Sequence, residues 1–392
     1  MEHNMQFAEK MRYFDHSVFT KLEKMRKEAE TEDRPVLDLS IGTPDLPPDE
    51  RVMETLAEAS RHPENLKYSL GDTPELIEAV QGWYDRRFGV PLDSDQITSV
   101  YGSQEGLAHI AFPLCNPGDI AIVPTPAYPI FSFGPLLAGA KVVEVPMLEK
   151  NNYLIDLDAI PEETARRARM IIVNYPNNPV AATATPEFYE KLVAWAKKYD
   201  VAVISDIAYA DLVHHGEPAP SFLATPGAMD VGVEFSSLSK SYNLTGIRIA
   251  FAVGNRDIME QFMRIRSQID YGTAFPTQIA AAAALNGPQD ILERNRDEYR
   301  KRSDALCGSL RAAGWDVPNT KATMFVWARV PEGLGSSMDF VTTLLKEAGV
   351  LAVPGSAFGA AGEGYVRLAL VHPVEELEKA GERIARSGIL KK

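Results

Sequence analysis

The stretch VGVEFSSLSKSYNLTGIR, residues 231–248, joins a mostly apolar run to a lysine that lies among small hydroxyl side chains. The apolar run is typical of a strand buried on both faces of a sheet. Lys240 follows Ser237 and Ser239 closely, and Arg248 comes eight residues after it. A lysine considered alone is most often a solvated surface residue. These neighbours indicate instead a site that holds something small and anionic.

Six further apolar runs lie between about residues 96 and 255 and alternate with helix-like segments. They are QITSV, IAIVP, AKVVEVP, MIIVNYP, VAVISD and IAFAVGN. Strands that alternate with helices are typical of an α/β fold, in which helices flank a parallel sheet. Several runs are apolar nearly throughout, as expected for strands covered on both faces. We therefore predict an α/β fold whose large domain contains a mostly parallel sheet flanked by helices.

The pattern changes after about residue 285. The segment PQDILERNRDEYRKRSDALCGSLRAAG predicts one long amphipathic helix, with Pro288 in its first turn and Gly314 at its end. Mixed strands and helices follow, which is typical of a smaller α+β domain. We predict an N-terminal arm with part of the small domain in residues 1–48, a large domain in 49–285 and a small C-terminal domain in 286–392.

The bulk composition disfavours several classes of protein. The chain has 392 residues and a net charge of −14. This charge disfavours sequence-independent binding to nucleic acid. No apolar run reaches the roughly 18 residues of a membrane span. The N-terminus lacks the apolar core of a signal peptide. Only Cys115 and Cys307 occur, which fits a reducing compartment. We therefore expect a cytoplasmic protein that binds neither nucleic acid nor membranes.

Polar side chains follow the carboxyl ends of the predicted strands, where open parallel sheets bind their ligands. They are Ser103 and Gln104 after QITSV, Tyr128 after IAIVP, Asn178 after MIIV, Asp206 and Tyr209 at the end of VAVIS, and Lys240 after VGVEF. Amide, carboxylate, phenol, amine and hydroxyl groups gathered at one edge suit a single polar aromatic ligand.

Each of these features taken alone has a more common structural explanation. The GSQEG stretch could be a plain tight turn, although its N–H groups at a helix start could also bind a phosphate. Asp206 could cap a turn, and Arg367 in GYVRLALV could extend its guanidinium to solvent. The glycine-rich segment 355–364 lacks the G-x-G-x-x-G spacing of a nucleotide loop. His214 and His215 have no paired cysteines nearby, so we expect no metal site.

The combination is more specific than its parts. The motifs NNP (177–179), DxAY (206–209) and SLSKxxxxTGxR (237–248) occur in this order. They resemble the class I/II aminotransferase family of fold type I pyridoxal-phosphate enzymes, and the similarity extends over about residues 35–385. The resemblance implies a homodimer with active sites at the subunit interface. It also implies transfer of an amino group between an amino acid and a 2-oxo acid.

The same resemblance implies a role for each site residue. Lys240 would form a Schiff base with pyridoxal phosphate and then act as general base, while Asp206 would keep the pyridine nitrogen protonated. The phosphate would be held by Ser103, Gln104, Ser237, Ser239 and Arg248, with Tyr68 reaching it from the partner subunit. Around the ring, Tyr209 and Asn178 would bind the phenolate oxygen and Tyr128 would stack on the ring face. The substrate would be bound by Gly42, Asn178 and Arg367, of which Gly42 and Arg367 would receive its α-carboxylate.

The chain departs from the family pattern at three places. It reads NPVA at residues 178–181, where the family often has NPTG, and it has Ala250 where the family often has glycine. Near Tyr68 the spacing is one residue shorter than usual. The dicarboxylate-specific branch carries a second arginine near the position of DYGTAF (270–275), which has none, although Arg266 is close. TMFVWARVPEG and GSAFGAAGEGYVRLALV resemble more the branch of LL-diaminopimelate and alanine aminotransferases.

Two alternatives share part of this pattern. A pyridoxal-phosphate-dependent Cβ lyase of the cystathionine type has the same fold and would use Lys240 and Asp206 as well. A non-catalytic scaffold that binds the cofactor is disfavoured because the whole functional set is present. That set is Asn178, Asp206, Tyr209, Lys240, Arg248 and Arg367.

Overall fold

The computed structural model describes residues 5–14 and 18–391. Its strands are β1 (Leu37–Asp38), β2 (Ile97–Val100), β3 (Ile120–Thr125), β4 (Lys141–Pro146), β5 (Ala168–Asn174), β6 (Ala202–Asp206), β7 (Gly232–Ser237), β8 (Ala250–Gly254), β9 (Phe325–Arg329), β10 (Val350–Leu351), β11 (Val353–Pro354) and β12 (Tyr365–Ala369).

Its α-helices are α1 (Val18–Ala29), α2 (Glu50–Ala59), α3 (Pro74–Phe88), α4 (Ser103–His109), α5 (Ala111–Leu114), α6 (Ile130–Leu137), α7 (Glu162–Arg167), α8 (Pro186–Tyr199), α9 (Leu238–Ser241), α10 (Arg256–Arg266), α11 (Phe275–Asn286), α12 (Asp290–Ala312), α13 (Ser337–Thr343) and α14 (Val374–Ser387). Over the described ranges, none of the helices is both long and apolar enough to cross a membrane.

The seven predicted strands form one central sheet in the order β2-β8-β7-β6-β5-β3-β4. β8 runs antiparallel to β2 and β7, and the other neighbours are parallel. Alternate residues of β5 pack into two different cores, Ile171 and Val173 on one face and Met170 and Ile172 on the other. Both faces are therefore covered, which explains why these strands are almost wholly apolar. The predicted mostly parallel sheet is confirmed.

Two smaller sheets lie in the rest of the chain. β11, β12 and β9 form an antiparallel sheet in that order. β1 pairs in parallel with β10, with Leu37 opposite Val350. This pairing brings the segment that follows α1 beside the C-terminal part of the chain. As a result, residues near position 40 lie next to β12.

Two helices differ from their sequence prediction. The long helix α12 begins at Asp290, so Pro288 precedes its first turn. Gln289, the residue before α12, has a ψ of 14° and is not helical, and its side chain donates to the carbonyl oxygens of Ala284 and Gly287 at the end of α11, at 3.1 and 2.6 Å. The segment SQEGLAHIAFPLC forms two helices, α4 and α5, rather than one. Pro113 lies in the second and has no N–H to continue the helical hydrogen-bond ladder.

Candidate active site

A cavity of about 470 Å³ lies at the carboxyl ends of the central strands. All of the predicted site residues except Tyr68 line it, namely Gly42, Ser103, Gln104, Tyr128, Asn178, Asp206, Tyr209, Ser237, Ser239, Lys240, Arg248 and Arg367. Parallel strands end at a common edge, so side chains that are distant in sequence meet there. The predicted clustering of these residues is thus observed in the fold.

Lys240 is held inside the cavity by the short helix α9 that follows β7. Its Nζ donates a hydrogen bond to the carbonyl oxygen of Gly42 at 2.7 Å. Burial, with smaller contributions from the positive charges of Arg367 and Arg248, lowers the pKa of Lys240 from 10.5 to about 8. The neutral form of this amine, which is the nucleophilic and proton-accepting form, is therefore more accessible than in an ordinary lysine.

Asp206 ends β6 and is 6% exposed. Within the described part of the chain its carboxylate receives one hydrogen bond, from the N–H of Ala208 at 3.1 Å. Burial raises the pKa of Asp206 from 3.8 to about 7, and the Ala208 hydrogen bond offsets this only in part. The Asn174 side chain fixes the backbone here by donating to the Asp206 carbonyl oxygen at 2.9 Å. A buried carboxylate with so few donors suits a cationic partner, such as a protonated ring nitrogen.

Arg367 is a fully buried cation on β12, with 2% of its surface exposed. Its Nη1 donates to Asn178 Oδ1 at 3.0 Å and its Nη2 to the carbonyl oxygen of Ser40 at 2.9 Å. Its Nε has no partner within the described residues, and burial lowers the pKa of the guanidinium to about 10. The Phe325 ring lies 4.1 Å from the guanidinium carbon. The remaining N–H groups suit a carboxylate, which a guanidinium can bind through two parallel hydrogen bonds.

The turn before α4 lies directly beside Arg248. Gly102 has a φ of +84°, and a Cβ atom at this position would collide with the Arg248 guanidinium. Arg248 itself has a φ of +53° and donates to the carbonyl oxygens of Thr245 at 2.7 Å and Tyr101 at 3.2 Å. Ser237, the last residue of β7, caps α9, because its hydroxyl accepts from the N–H of Ser239 at 3.1 Å. Backbone N–H groups, hydroxyls and a guanidinium thus converge as they do around bound phosphates.

Two tyrosines complete the cavity lining. Tyr128 follows β3 and donates its hydroxyl to Gln104 Oε1 at 3.0 Å. Tyr209 lies beyond β6, and its ring packs edge-on against Phe325 with centroids 5.8 Å apart. Burial raises the pKa of both phenols, so they remain protonated and can donate hydrogen bonds to an anionic oxygen.

Tyr68 lies outside this cavity. Its side chain is 75% exposed, and its ring packs on Tyr271 with centroids 4.9 Å apart. The backbone N–H of Leu70 donates to the Tyr271 carbonyl oxygen at 2.8 Å, which fixes the segment on the surface. A role at the phosphate would require this side chain to act on a second subunit, and that role stays a prediction.

Sequence reasoning missed several residues that line the cavity, among them Phe19, Thr43, Asn174 and Phe325. Asn174 could have been found, because it directly follows the apolar run MIIV and its Oδ1 accepts from the N–H of Asn178 at 2.9 Å. Phe19 and Phe325 gave no such signal. They are apolar and lie far from the central strand ends in sequence, so only the fold brings them here.

Pyridoxal phosphate, the cofactor that the motifs imply, fits these residues. The Asp206 carboxylate lacks a cation, and the pyridine nitrogen can supply one when protonated. Gly102 lets the Arg248 guanidinium lie against the turn before α4, and Arg248 lines the cavity beside the Ser237 and Ser239 hydroxyls, where a phosphate would find several donors. The neutral amine of Lys240 can react with an aldehyde. Each of the three polar ends of the cofactor therefore has a matching group in one cavity.

Comparison with known proteins agrees with this chemistry. Residues 34–384 match the family of class I and II aminotransferases. The chain is 42% identical over 387 residues to the LL-diaminopimelate aminotransferase of Halothermothrix orenii. The alignment covers 98% of this chain and 99% of the relative. The LL-diaminopimelate aminotransferase of Aquifex aeolicus is 42% identical over 381 residues, covering 97% of this chain and 98% of the relative.

Solved structures show the same fold. Substrate-bound BacF from Bacillus subtilis has a TM-score of 0.92 at 33% identity, covering 97% of this chain and 98% of that chain. A probable N-succinyldiaminopimelate aminotransferase from Thermus thermophilus has a TM-score of 0.89 at 36% identity, covering 95% of this chain and 100% of that chain. These relatives give no support to the Cβ-lyase or scaffold alternatives. The chain therefore belongs to the class I and II aminotransferases and is a pyridoxal-phosphate-dependent enzyme that moves an amino group between an amino acid and a 2-oxo acid.

Proposed function

We propose that Lys240 and Asp206 carry the amino transfer at this site and that Arg367 binds the α-carboxylate of the amino acid. The observation that supports this most is that an amine of lowered pKa, a buried carboxylate and a buried guanidinium line the same cavity. When bound, pyridoxal phosphate supplies an aldehyde and a ring that withdraws electrons from the substrate Cα. The protein supplies the groups that orient the substrate and move its protons.

Lys240 is the residue we assign to proton transfer. Its Nζ is held 2.7 Å from the Gly42 carbonyl oxygen, so the amine has a fixed position within the cavity. Arg367 would hold the α-carboxylate through two hydrogen bonds and thereby orient the Cα–H bond toward a base. A neutral amine with a pKa of about 8 is well matched to accept this proton and return it.

The remaining predicted residues are proposed to hold the cofactor. Asp206 would pair with the ring nitrogen, Tyr209 and Asn178 would donate to the phenolate oxygen, and Tyr128 would cover the ring. For the phosphate we assign Ser103, Gln104, Ser237, Ser239 and Arg248, all of which line the cavity. Tyr209 is included in the catalytic set because its phenol remains protonated and can stabilise a negative oxygen.

We propose LL-diaminopimelate as the amino donor to test first. The two relatives described above carry this substrate in their names. Lys240, Arg248 and Arg367 are the cationic side chains among the described cavity residues, and each already has an assigned role. The distal end of diaminopimelate carries one ammonium and one carboxylate, so it has no net charge. It therefore needs no further arginine, whereas the distal carboxylate of aspartate would.

A donor panel tests this assignment. LL-diaminopimelate and L-aspartate are each incubated with 2-oxoglutarate or pyruvate, L-alanine is incubated with 2-oxoglutarate, and the new amino acid and 2-oxo acid are measured by chromatography. We expect turnover with LL-diaminopimelate to be the highest. A clear preference for L-aspartate would contradict the charge argument. Breakdown of L-cystathionine to pyruvate, ammonia and homocysteine without any acceptor would contradict amino transfer itself.

The Lys240→Ala variant tests the catalytic assignment. We expect amino transfer to fall by about 1,000-fold or more, because this variant lacks both the nucleophile and the base. The visible absorbance of the lysine-bound cofactor should disappear, while the far-UV circular dichroism stays unchanged. Lys141→Ala, which alters an exposed lysine of β4, is the control and should keep full activity. Retained turnover in Lys240→Ala would overturn the assignment.

We also propose a homodimer in which Tyr68 reaches the phosphate of the partner subunit. Support comes from a surface that is unusually apolar for exposed residues. The residues are Leu66, Tyr68, Leu70, Ile269 and Tyr271, which are 48–75% exposed. Light scattering should give twice the chain mass, and Leu70→Glu should shift the mass toward the monomer. A fully active monomer would contradict the proposal.

The three-part division of the chain at residues 48 and 285 and a cytoplasmic location remain proposals as well. The first is supported by the separate sheets, since β2–β8 form one sheet and β9, β11 and β12 another. The second is supported by Cys115 and Cys307, which are both buried and unpaired.

A further inference from the structure

The segment between β1 and α2 forms one wall of the cavity without any helix or strand of its own. The carbonyl oxygen of Ser40 accepts from Arg367 Nη2 at 2.9 Å, and that of Gly42 accepts from Lys240 Nζ at 2.7 Å. This segment therefore touches both groups that are assigned to the substrate. Because no helix or strand runs along it, its position depends on the contacts at its two ends, which are main-chain hydrogen bonds at Leu39 and a side-chain pair at Asp45.

The N-terminal end of the segment is fixed by main-chain pairing. The N–H of Leu39 donates to the carbonyl oxygen of Leu351, and the N–H of Ala369 donates to the carbonyl oxygen of Leu39, both at 2.8 Å. Ser40 is held further by the Asp38 carboxylate, which accepts from its N–H at 2.9 Å. This end is thus attached to β10 and to β12, and β12 also carries Arg367.

The C-terminal end is fixed by one arginine of the long helix α12. Arg302 has a side chain that is only 3% exposed and binds Asp45 through two hydrogen bonds of 2.6 and 2.9 Å. Its Nη1 also donates to the carbonyl oxygen of Leu370 at 2.9 Å, three residues beyond Arg367. Its Nε donates to Glu298 at 2.9 Å, within α12. A single guanidinium therefore joins α12, the cavity wall and the end of β12.

We propose that Arg302 is a positioning residue for the substrate α-carboxylate. Through Asp45 it fixes the wall that carries Gly42, and through Leu370 it fixes the strand that carries Arg367. A bidentate guanidinium–carboxylate pair fixes direction as well as distance, and small displacements of groups around a substrate can lower rates by about 100-fold. Arg302 touches neither substrate nor cofactor residues, so it acts only through the segments that it holds.

A second contact of α12 supports this interpretation. Asn295 lies seven residues before Arg302, which is two helical turns and so the same face of the helix. Its Nδ2 donates to the carbonyl oxygen of Ser241, next to Lys240, at 2.9 Å. Its Oδ1 accepts from Asn243, whose amide also donates to the Pro47 carbonyl oxygen at 3.2 Å. One face of α12 thus holds the Lys240 helix as well as the wall.

The two carboxylates on Arg302 provide a matched pair of variants. Asp45 and Glu298 are almost equally exposed, at 32% and 31%, and each forms an ion pair with the same guanidinium. Asp45→Asn and Glu298→Gln each remove one charge and leave Arg302 with one charged partner, although Asp45 accepts two hydrogen bonds and Glu298 one. Only Asp45 belongs to the segment that carries Gly42, so only its replacement should affect substrate binding.

The experiment measures steady-state kinetics of the holoenzyme with the best donor from the panel above, together with inhibition by propionate, a carboxylate that has no amino group. For Asp45→Asn we expect the KM for donor and acceptor and the inhibition constant of propionate to rise together by about tenfold. For Glu298→Gln we expect changes within about twofold. The dissociation constant of pyridoxal phosphate, titrated into cofactor-free protein, should stay the same in both variants.

Equal shifts in the two variants, or a lower melting temperature of Asp45→Asn with an unchanged KM, would overturn the proposal. If Asp45→Asn does not fold, Arg302→Lys decides the question, because lysine keeps the positive charge but cannot form two parallel hydrogen bonds with the Asp45 carboxylate. An unchanged KM in Arg302→Lys would also overturn it. The inference rests on the proposed role of Arg367, and a failure of that role would appear separately as an unchanged KM in Arg367→Gln.

Discussion

The side-chain oxygen of Asn178 accepts a hydrogen bond from Arg367 Nη1 at 3.0 Å, although the two residues lie 189 positions apart in the chain. Asn178 follows β5 of the central sheet, and Arg367 lies on β12 of the small antiparallel sheet. The proposed carboxylate subsite is therefore assembled from both sheets. A substrate bound there would contact both of them at once.

The first prediction concerns Arg367 itself. In Arg367→Gln the cation that faces the cavity is lost, so we expect the KM for both amino acid and 2-oxo acid to rise by about 100-fold. Cofactor content, measured by visible absorbance, should not change. Arg329→Gln is the control, because Arg329 lies on the neighbouring strand β9 in an exposed ion pair with Glu149, and such pairs contribute little. Equal effects of the two variants would contradict the assignment.

The second prediction separates stability from function at Asp206. Its pKa in the folded chain is about 7 instead of 3.8, so the folded chain holds a proton between about pH 4 and pH 7 that the unfolded chain releases. The contribution of this group to stability is therefore lost as the pH rises through that window. We expect cofactor-free Asp206→Asn to melt at a higher temperature than the unmodified protein at about pH 8. The difference should shrink as the pH falls toward 5.

The same variant should lose amino transfer by about 100-fold or more, because an amide cannot keep the ring nitrogen protonated. Asp211→Asn is the control for the stability measurement. Asp211 is also buried, at 2% exposure, but it is paired with Arg87 at 2.9 Å. Its replacement leaves a cation unpaired and should lower the melting temperature. A lower melting temperature in Asp206→Asn at every pH would contradict the prediction.

The third prediction tests the phosphate turn. Gly102→Ala should weaken pyridoxal-phosphate binding, because the added methyl group would collide with Arg248. Gly89→Ala is the control: Gly89 also has a positive φ, +66°, but no atom lies within 4 Å of the added Cβ. Gly89→Ala should lose about 1 kcal/mol of stability from backbone strain. Gly102→Ala should lose more, about 1–3 kcal/mol, because its ψ of 151° places it in a region that essentially only glycine adopts. Only Gly102→Ala should raise the dissociation constant of the cofactor, and an unchanged constant would contradict the proposed phosphate site.

The fourth prediction concerns the departure from the family pattern at NPVA. Ala181 has a φ of +59° and is 6% exposed. A glycine adopts this conformation without steric strain, so Ala181→Gly should raise the free energy of unfolding by up to about 1 kcal/mol. Ala182→Gly, at the next position and without a positive φ, should lower it by about 0.5–1 kcal/mol. Denaturant titration measures both, and a stability loss in Ala181→Gly would contradict the strain argument.

The sequence by itself determined the central sheet and most of the cavity. Buried parallel strands are apolar on both faces, so their runs are visible in the chain, and the fold collects whatever follows them at one edge. For this reason Asp206, Lys240 and Arg248 could be placed from local patterns. Tyr68 was predicted from the same resemblance. Its proposed contact is with the phosphate of a partner subunit, so the fold of one chain does not place it in the cavity.

Only the tertiary structure decided the contacts between segments without a periodic pattern. Arg302 and Asp45 lie 257 positions apart, and an arginine in an amphipathic helix looks like any solvated residue until its partner is known. Phe19 and Phe325 likewise enter the cavity from regions whose sequence shows no polar group at a strand end. Hydrophobic periodicity encodes which face of an element is buried. It does not encode which distant side chain meets that face, because this depends on how the elements pack together.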